Sequence, residues 1–238
     1  MKKKLLILVF LLILAMGVFF GIDYKNKKDY EKTDAYKFKT EYESLNGKET
    51  GYKDNIYRSL NIAKDNKIIY SSAEEIVKKI DKNETFVVYF GFSKCPWCRS
   101  MIENLISVSK SYDQEVYYVD VLEIRDKIEY KDGELKTTTE GDKNYMKLLD
   151  LMGDVLSDYK VTDSDGNEYD TNEKRIYAPN VVAVIQGKAT KMVEGVSEDL
   201  KDPYGKITKK MNEESKKQLE CIFKCLEEAG VCTKKGAC

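Results

Sequence analysis

The feature that most constrains this chain is a pair of cysteines two residues apart, set between an apolar run and an amphipathic segment. Cys95 and Cys98 enclose Pro96 and Trp97, and the apolar run at 86–90 has the composition of a buried strand. After the motif, apolar residues recur at helical spacing: Met101, Ile102, Leu105, Ile106 and Val108. The pattern predicts a strand that ends just before the motif and a helix that begins at it.

This placement suits thiol chemistry. The thiolate is the attacking species, and the N–H groups at a helix N-terminus stabilise an anion. Pro96 would take the first helical position, where a missing N–H costs little. We expect Cys95 to be the nucleophile, with Lys94 and Arg99 adding positive charge nearby. Cys98, one turn further along, is expected to attack a mixed disulfide on Cys95 and release the partner.

A structural disulfide and half of a zinc site are the alternatives for this motif. Zinc takes four ligands, usually from paired clusters of Cys and His. The chain contains no His, and its other four cysteines lie far away at 221–238. The sequence therefore favours a redox pair, with no metal and no cofactor at the site.

Composition limits the class of protein and its compartment. A chain of 238 residues suits one domain with extensions, and a net charge of −1 gives no general attraction to nucleic acid. Six cysteines without a metal-like pairing favour an oxidising compartment.

The N-terminal segment, residues 1–22, is predicted to be a membrane anchor. Lysines at 2–4 precede an uncharged run at 5–22, which is just long enough to cross a bilayer. Cleavage as a signal peptide near Ala15-Met16-Gly17, giving a secreted form, is the alternative. We expect a single-pass protein with its body outside the cytoplasmic membrane and a juxtamembrane stalk at 23–52, helical near 32–45.

The rest of the chain predicts alternating strands and helices. A capping box at Ser72–Glu75 marks one helix start, and Asp165-Gly166 predicts a hairpin inside a long connection at 123–175. The other predicted elements are strands at 55–62, 67–70, 85–90, 116–121, 181–185 and 193–196, and helices over 145–156 and 206–229.

This order, together with two motifs, resembles the thioredoxin family over 53–228. The motifs are Phe90–Arg99, which contains the cysteine pair, and Tyr177–Val182. The chain looks closest to membrane-anchored thioredoxin-like proteins of Gram-positive bacteria, some labelled bacteriocin transport accessory proteins. The resemblance implies an α/β, thioredoxin-like fold with a mixed central sheet flanked by helices, and makes 123–175 an insert before the cis-proline strand.

The resemblance also assigns roles around the cysteines. Pro179 would be a cis-proline facing the motif and would expose the backbone of Ala178 to a bound substrate strand; an ordinary proline at a strand start is the alternative. Pro96 and Trp97 would support the substrate groove, although Trp97 is equally compatible with a half-exposed helix residue.

One position departs from the family pattern. Thioredoxins often carry a buried Asp six residues before the first cysteine, and this chain has Tyr89 there. Glu84 and Asp120 are possible substitutes. A phenol, with a pKa of about 10, is a poor base near neutral pH. The sequence therefore predicts slow release of a mixed-disulfide partner.

The C-terminal cysteines form a separate group. On the last helix Cys221 and Cys225 are one turn apart and are predicted to lie opposite a core stripe that consists of Leu219, Ile222, Phe223 and Leu226. A tail at 229–238 that doubles back would form two structural disulfides, Cys225–Cys232 and Cys221–Cys238; a second redox centre is an alternative. Four cysteines allow three pairings, and a four-cysteine zinc site is the other alternative.

The predicted function is a membrane-anchored, extracytoplasmic thiol–disulfide oxidoreductase. Its partners would be cysteines of exported proteins and a second redox protein that resets the pair. The sequence does not choose between reductase, oxidase and isomerase, since all three use the same two thiols. The alternative is a non-catalytic accessory or binding module of a secretion or bacteriocin export system, with 123–175 as its partner surface.

Overall fold

The computed structural model of the protein describes residues 24–227, which form a mixed α/β fold. Besides the helical residues at 24–30, the described part of the chain contains five helices and nine strands. The helices are α1 (Asp34–Glu43), α2 (Ala73–Asp81), α3 (Pro96–Ser111), α4 (Lys143–Met152) and α5 (Lys209–Glu227). The strands are β1 (Ile68–Tyr70), β2 (Phe86–Gly91), β3 (Val116–Asp120), β4 (Lys127–Lys131), β5 (Glu134–Thr139), β6 (Ser157–Thr162), β7 (Glu168–Arg175), β8 (Asn180–Ile185) and β9 (Lys188–Glu194).

A five-stranded mixed sheet in the order β1-β3-β2-β8-β9 forms the centre of the molecule. Strands β1, β3 and β2 run parallel, and β8 and β9 are antiparallel additions beside β2. Helices flank this sheet, which confirms the expected mixed sheet between helices. The central strand β2 leads directly into the cysteine motif, so the site lies at the end of the most buried strand.

The two faces of the sheet bury separate cores, as the alternation along β2 requires. Val87 and Tyr89 face the core beneath α1, α3 and α5, whereas Phe86, Val88 and Phe90 face the core beneath α2 and α4. Helix α2 begins with the predicted capping box, in which Ser72 and Glu75 bond each other's backbone N–H groups. The strand predicted at 85–90, the capping box and the helix that it begins are confirmed.

Helix α1 is part of the folded domain, which corrects the predicted stalk at 23–52 and the domain start at 53. Phe38 and Tyr42, one helical turn apart, are fully buried in the first core. Phe38 stacks on Tyr42 with ring centroids 4.4 Å apart and meets Tyr118 of β3 edge-on at 5.0 Å. The predicted helix near 32–45 is confirmed. Its aromatic residues pack in the core, so the helix is not a spacer between the membrane and the domain.

The strand predicted at 55–62 is wrong except for an isolated bridge between Glu49 and Ile56. Side chains satisfy this backbone in place of a neighbouring strand. The Asn46 amide both donates to and accepts from Leu60, at 2.8 and 2.9 Å, and the Glu43 carboxylate accepts from the Ile62 N–H at 2.7 Å. The backbone of 55–62 is therefore held by side chains without joining the sheet.

The long connection at 123–175 contains two hairpins and helix α4. The hairpin β6–β7 around Asp165-Gly166 is confirmed. The hairpin β4–β5 was not predicted, although its Asp132-Gly133 turn carries the same signal. Helix α4 ends at Met152 instead of the predicted 156. The paired Asp126 and Arg175, both almost fully buried, hold the start and the end of this segment together.

Within 24–227 no helix is long and apolar enough to cross a bilayer. The predicted anchor at 5–22 lies outside the described residues, as does the tail at 229–238.

Candidate functional site

The cysteine motif forms the N-terminus of α3, as its sequence context predicted. Strand β2 ends at Gly91, and after a short turn Cys95 occupies the N-cap position with extended backbone angles. Pro96 is the first helical residue. Because the cap residue is a cysteine, its sulfur takes the place of the hydroxyl or carboxylate oxygen that usually accepts from the first-turn N–H groups.

Cys95 sits in a cluster of hydrogen-bond donors. Its Sγ accepts from the backbone N–H of Cys98 at 3.1 Å. The Cys98 thiol makes the largest contribution to a lowered pKa of Cys95, and it outweighs the opposing effect of burial. The backbone N–H groups of Cys98 and Trp97 lower the pKa further. These donors stabilise a thiolate at Cys95.

Cys98 has the opposite environment. It is fully buried, whereas Cys95 retains 4% exposure. Burial raises the pKa of the Cys98 thiol well above its ordinary value, and the neighbouring Cys95 raises it further. The pair therefore consists of one slightly exposed thiol whose thiolate is stabilised and one enclosed thiol whose protonated form is favoured.

The second predicted motif faces the first. The Ala178–Pro179 peptide bond is cis, which confirms the expectation for Pro179. The Cys95 thiol donates a hydrogen bond to the Ala178 carbonyl at 3.3 Å. Trp97 is half-buried against the first core. Its role in a substrate groove, like that of Pro96, stays a prediction.

The positive charge near Cys95 comes from a residue that the sequence did not single out. Lys94 is exposed. Arg99 is almost fully buried, and its guanidinium donates to backbone carbonyls, including Tyr42 at 2.8 Å. Arg125, which lies over the Phe92 ring at 5.2 Å, contributes to the lowered pKa of Cys95. Arg99 thus binds buried backbone carbonyls, and Arg125 is the cation whose charge lowers the pKa of Cys95.

Tyr89 lies where the sequence placed it, next to the enclosed thiol. Its ring is fully buried in the same core as Cys98, and its hydroxyl lowers the pKa of that thiol, against the larger effect of burial. Neither proposed substitute has this position. Glu84 precedes β2, at the far end of that strand from the motif, and binds Lys79 at 2.8 Å. Asp120 lies beside Gly91, but its carboxylate accepts from the Leu122 N–H at 2.8 Å.

The tyrosine hydroxyl also has a partner that sequence reasoning missed. The Tyr42 hydroxyl of α1 lies 3.0 Å from the Tyr89 hydroxyl, and both are buried. Phe38 and Tyr42 are one helical turn apart, and this spacing alone could have predicted that the helix has a buried face. Nothing in the sequence indicated that this face would meet the strand that carries Tyr89.

The C-terminal cysteines do not lie opposite the core stripe. Cys225 is fully buried and packs in the first core with Leu219, Ile222 and Phe223, while Cys221 is 6% exposed. The reason is that α5 packs against α3 as well as β8 and β9, so its buried arc is wider than one stripe. Cys232 and Cys238 lie outside the described residues, and both predicted pairings stay predictions.

No family model matches this chain, and no curated protein matches it.

Proposed function

We propose that this protein is a thioredoxin-like thiol–disulfide oxidoreductase, anchored in the cytoplasmic membrane by residues 5–22, that acts on cysteines of exported proteins outside that membrane. The observation that carries the proposal is the unequal pair of thiols at the start of α3. The lowered pKa of Cys95 and the raised pKa of Cys98 give the two cysteines different chemical roles.

In the proposed reaction the Cys95 thiolate attacks one sulfur of a partner disulfide. A Cys95–partner disulfide forms, and the other partner sulfur leaves as a thiolate. Cys98 then attacks Cys95, so that a Cys95–Cys98 disulfide replaces the mixed disulfide. The partner is reduced by two electrons and the pair is oxidised by two. A second redox protein must reverse this change, and the same steps run backwards describe oxidation of a partner.

The carbonyl of Ala178 supports a docking role for the loop opposite Cys95. It faces Cys95 just before the start of β8, where an extended partner segment could lie across the motif. This arrangement would orient a partner cysteine toward Cys95 before attack.

Cysteine variants test the proposal. Cys95→Ser should abolish exchange with a disulfide-linked model peptide, whereas Cys98→Ser should accumulate the peptide on Cys95. The double variant, which should form no adduct, is the control for adducts elsewhere. Equal alkylation of both thiols in the unmodified protein, with no adduct on Cys98→Ser, would contradict the proposal.

A further inference from the structure

An arginine from the start of the 123–175 segment lies against the cysteine motif. The guanidinium carbon of Arg125 is 5.2 Å from the centre of the Phe92 ring. Phe92 belongs to the turn that leads into Cys95, and its carbonyl accepts a hydrogen bond from the Cys95 N–H at 3.1 Å. A residue distant in the sequence is therefore placed on the turn that presents the nucleophile.

The guanidinium of Arg125 has donors that no described residue uses. Its side chain is half-buried, and within 24–227 it forms neither an ion pair nor a side-chain hydrogen bond. The side chains of the other three arginines, Arg58, Arg99 and Arg175, all donate hydrogen bonds in this part of the chain. Arg125 is thus the arginine whose fork is available to a ligand.

The residues on either side hold the backbone of Arg125 in place. Ile124 packs against the core beneath α2 and α4, and its carbonyl accepts from the Asp142 N–H at 2.8 Å. Asp126 is almost fully buried and pairs with Arg175, which also donates to the Asp126 carbonyl at 2.9 Å. Because both neighbours are anchored, the guanidinium is presented from a fixed point, which lowers the entropic cost of binding.

Arg125 lies on the side of the motif where a partner segment is expected. Phe92 and Ala178 each pack against both cores, so both lie at the end of the sheet where the two cores meet. The Ala178 carbonyl accepts from the Cys95 thiol at 3.3 Å. Successive residues of an extended segment are about 3.3 Å apart. A segment along Ala178 with its cysteine at Cys95 would therefore bring the neighbours of that cysteine close to Phe92 and Arg125.

A guanidinium in this position favours a carboxylate. Its planar fork of N–H donors matches the two carboxylate oxygens, and such charge-assisted bonds are stronger than neutral ones. The two acids of the same loop leave the fork open, because neither Asp120 nor Glu123 forms an ion pair in the described part of the chain. The Asp120 carboxylate instead accepts from the Leu122 N–H at 2.8 Å.

We propose that Arg125 is a specificity residue that binds an aspartate or glutamate of the partner, within two residues of the cysteine that Cys95 attacks. The proposal rests on the proposed function and names the substrate class of that site: proteins whose reactive cysteine has an acidic neighbour. It also gives the 123–175 segment a role at the site. The buried pair of Asp126 and Arg175 positions the residue that selects the partner.

Arg125 would act on the reaction in two separable ways. Beside the larger effect of the Cys98 thiol, its charge contributes to the lowered pKa of Cys95, which alters the reaction with every partner by the same factor. Binding a partner carboxylate alters the reaction with acidic partners alone. The ratio of the rate constants for an acidic and a neutral peptide cancels the first effect and isolates the second.

The test is reduction of peptide disulfides that differ at one position. Each peptide carries Asp, Asn or Lys at one of the two positions before or after its cysteine. The second-order rate constant with the reduced protein is measured by stopped flow and divided by the rate constant with dithiothreitol, which corrects for the intrinsic reactivity of each disulfide. At the best position we expect the Asp peptide to react about tenfold faster than the Asn peptide, and the Lys peptide to react slowest.

Variants assign this preference to Arg125. Arg125→Gln should bring the Asp-to-Asn ratio close to one, whereas Arg125→Lys should retain part of it, because lysine keeps the charge but not the planar fork. Lys94→Gln, which removes an exposed lysine of the motif turn, is the matched control and should retain the full ratio. Circular dichroism checks that each variant is folded. If Arg125→Gln does not fold, Arg125→Lys is compared with the control in its place.

The outcomes separate this inference from the proposed function. If the unmodified protein reduces the peptides with a ratio of one at every position, the proposed subsite is wrong and the oxidoreductase stands. The same conclusion follows if the Arg125 variant and Lys94→Gln lower the ratio equally, since the preference then comes from general positive charge. If the unmodified protein reduces none of the peptides and forms no mixed disulfide, the proposed function itself is wrong.

Discussion

The thiol of Cys95 donates to the carbonyl of Ala178 at 3.3 Å, although 83 residues separate them in the chain. This contact joins the start of α3 to the loop that begins β8. It places the Cys95 sulfur between helix N–H groups on one side and a backbone carbonyl on the other. Removing the proton of Cys95 therefore gives up the hydrogen bond to Ala178 but keeps the one accepted from the Cys98 N–H, which is stronger to a thiolate.

The charge of Arg125 gives a prediction about pH. Arg125 contributes to the lowered pKa of Cys95, so Arg125→Gln should raise that pKa. Because the thiolate is the reactive form, the midpoint of the alkylation rate should move to higher pH. Rates with iodoacetamide across a pH series measure the midpoint. Lys94→Gln, which removes an exposed lysine of the motif loop, is the matched control, and an equal shift in both variants would contradict a specific role for Arg125.

Arg99 gives a prediction about stability. Its guanidinium donates to the carbonyls of Tyr42 and Ser93, at 2.8 and 3.3 Å, and to the carbonyl of Arg58. Arg99→Met would leave these buried acceptors without donors. We expect a loss of about 3 kcal/mol in the free energy of unfolding, measured by urea denaturation. Lys94→Met should change it by less than about 0.5 kcal/mol, and equal losses would show that Arg99 is not a structural tie.

Gly91 gives a prediction about the position of Tyr89. An alanine here would collide with the tyrosine ring and force it to move. Gly91→Ala should therefore cost about 1–3 kcal/mol of stability and slow release of a mixed-disulfide partner. Gly153→Ala, where the nearest atom to an added Cβ is 3.2 Å away, is the control. Normal stability and normal release in Gly91→Ala would mean that the ring does not need this space.

The buried pair of Asp126 and Arg175 should hold the 123–175 segment to the domain. Removing one partner leaves a buried charge without its counterion, so Asp126→Asn or Arg175→Met should each cost about 3–5 kcal/mol. The double variant should recover part of that loss, because neither charge remains. Thermal and urea unfolding of all three variants give the coupling energy. Strict additivity of the two losses would contradict a direct interaction.

The order of the central elements could be read from the sequence because local signals agreed with tertiary structure there. The run at 86–90 was apolar throughout, the helix after Cys95 had clear periodicity, and the Ser72–Glu75 capping box was explicit. The position of Cys95 and Cys98 at the start of a helix followed from the same local context. Each of these features depends on residues that are close to one another in the sequence.

The features that the sequence did not reveal depend on contacts between distant segments. Tyr42 and Arg125 reach the site from outside the motif, and the 55–62 run is held by the side chains of Asn46 and Glu43 in place of a strand. Cys225 is buried in the core because α5 packs against α3, β8 and β9. A periodic pattern shows that a face is buried, but it does not show what that face will meet.

The most direct test of the central claim is a stoichiometric count of thiols and disulfides after one turnover. The reduced protein is mixed with a disulfide-bonded model peptide, quenched in acid, alkylated and analysed by mass spectrometry. We predict one Cys95–Cys98 disulfide for each peptide disulfide reduced. A peptide that binds with its disulfide intact, while Cys95 and Cys98 both remain thiols, would contradict the account and indicate a binding module.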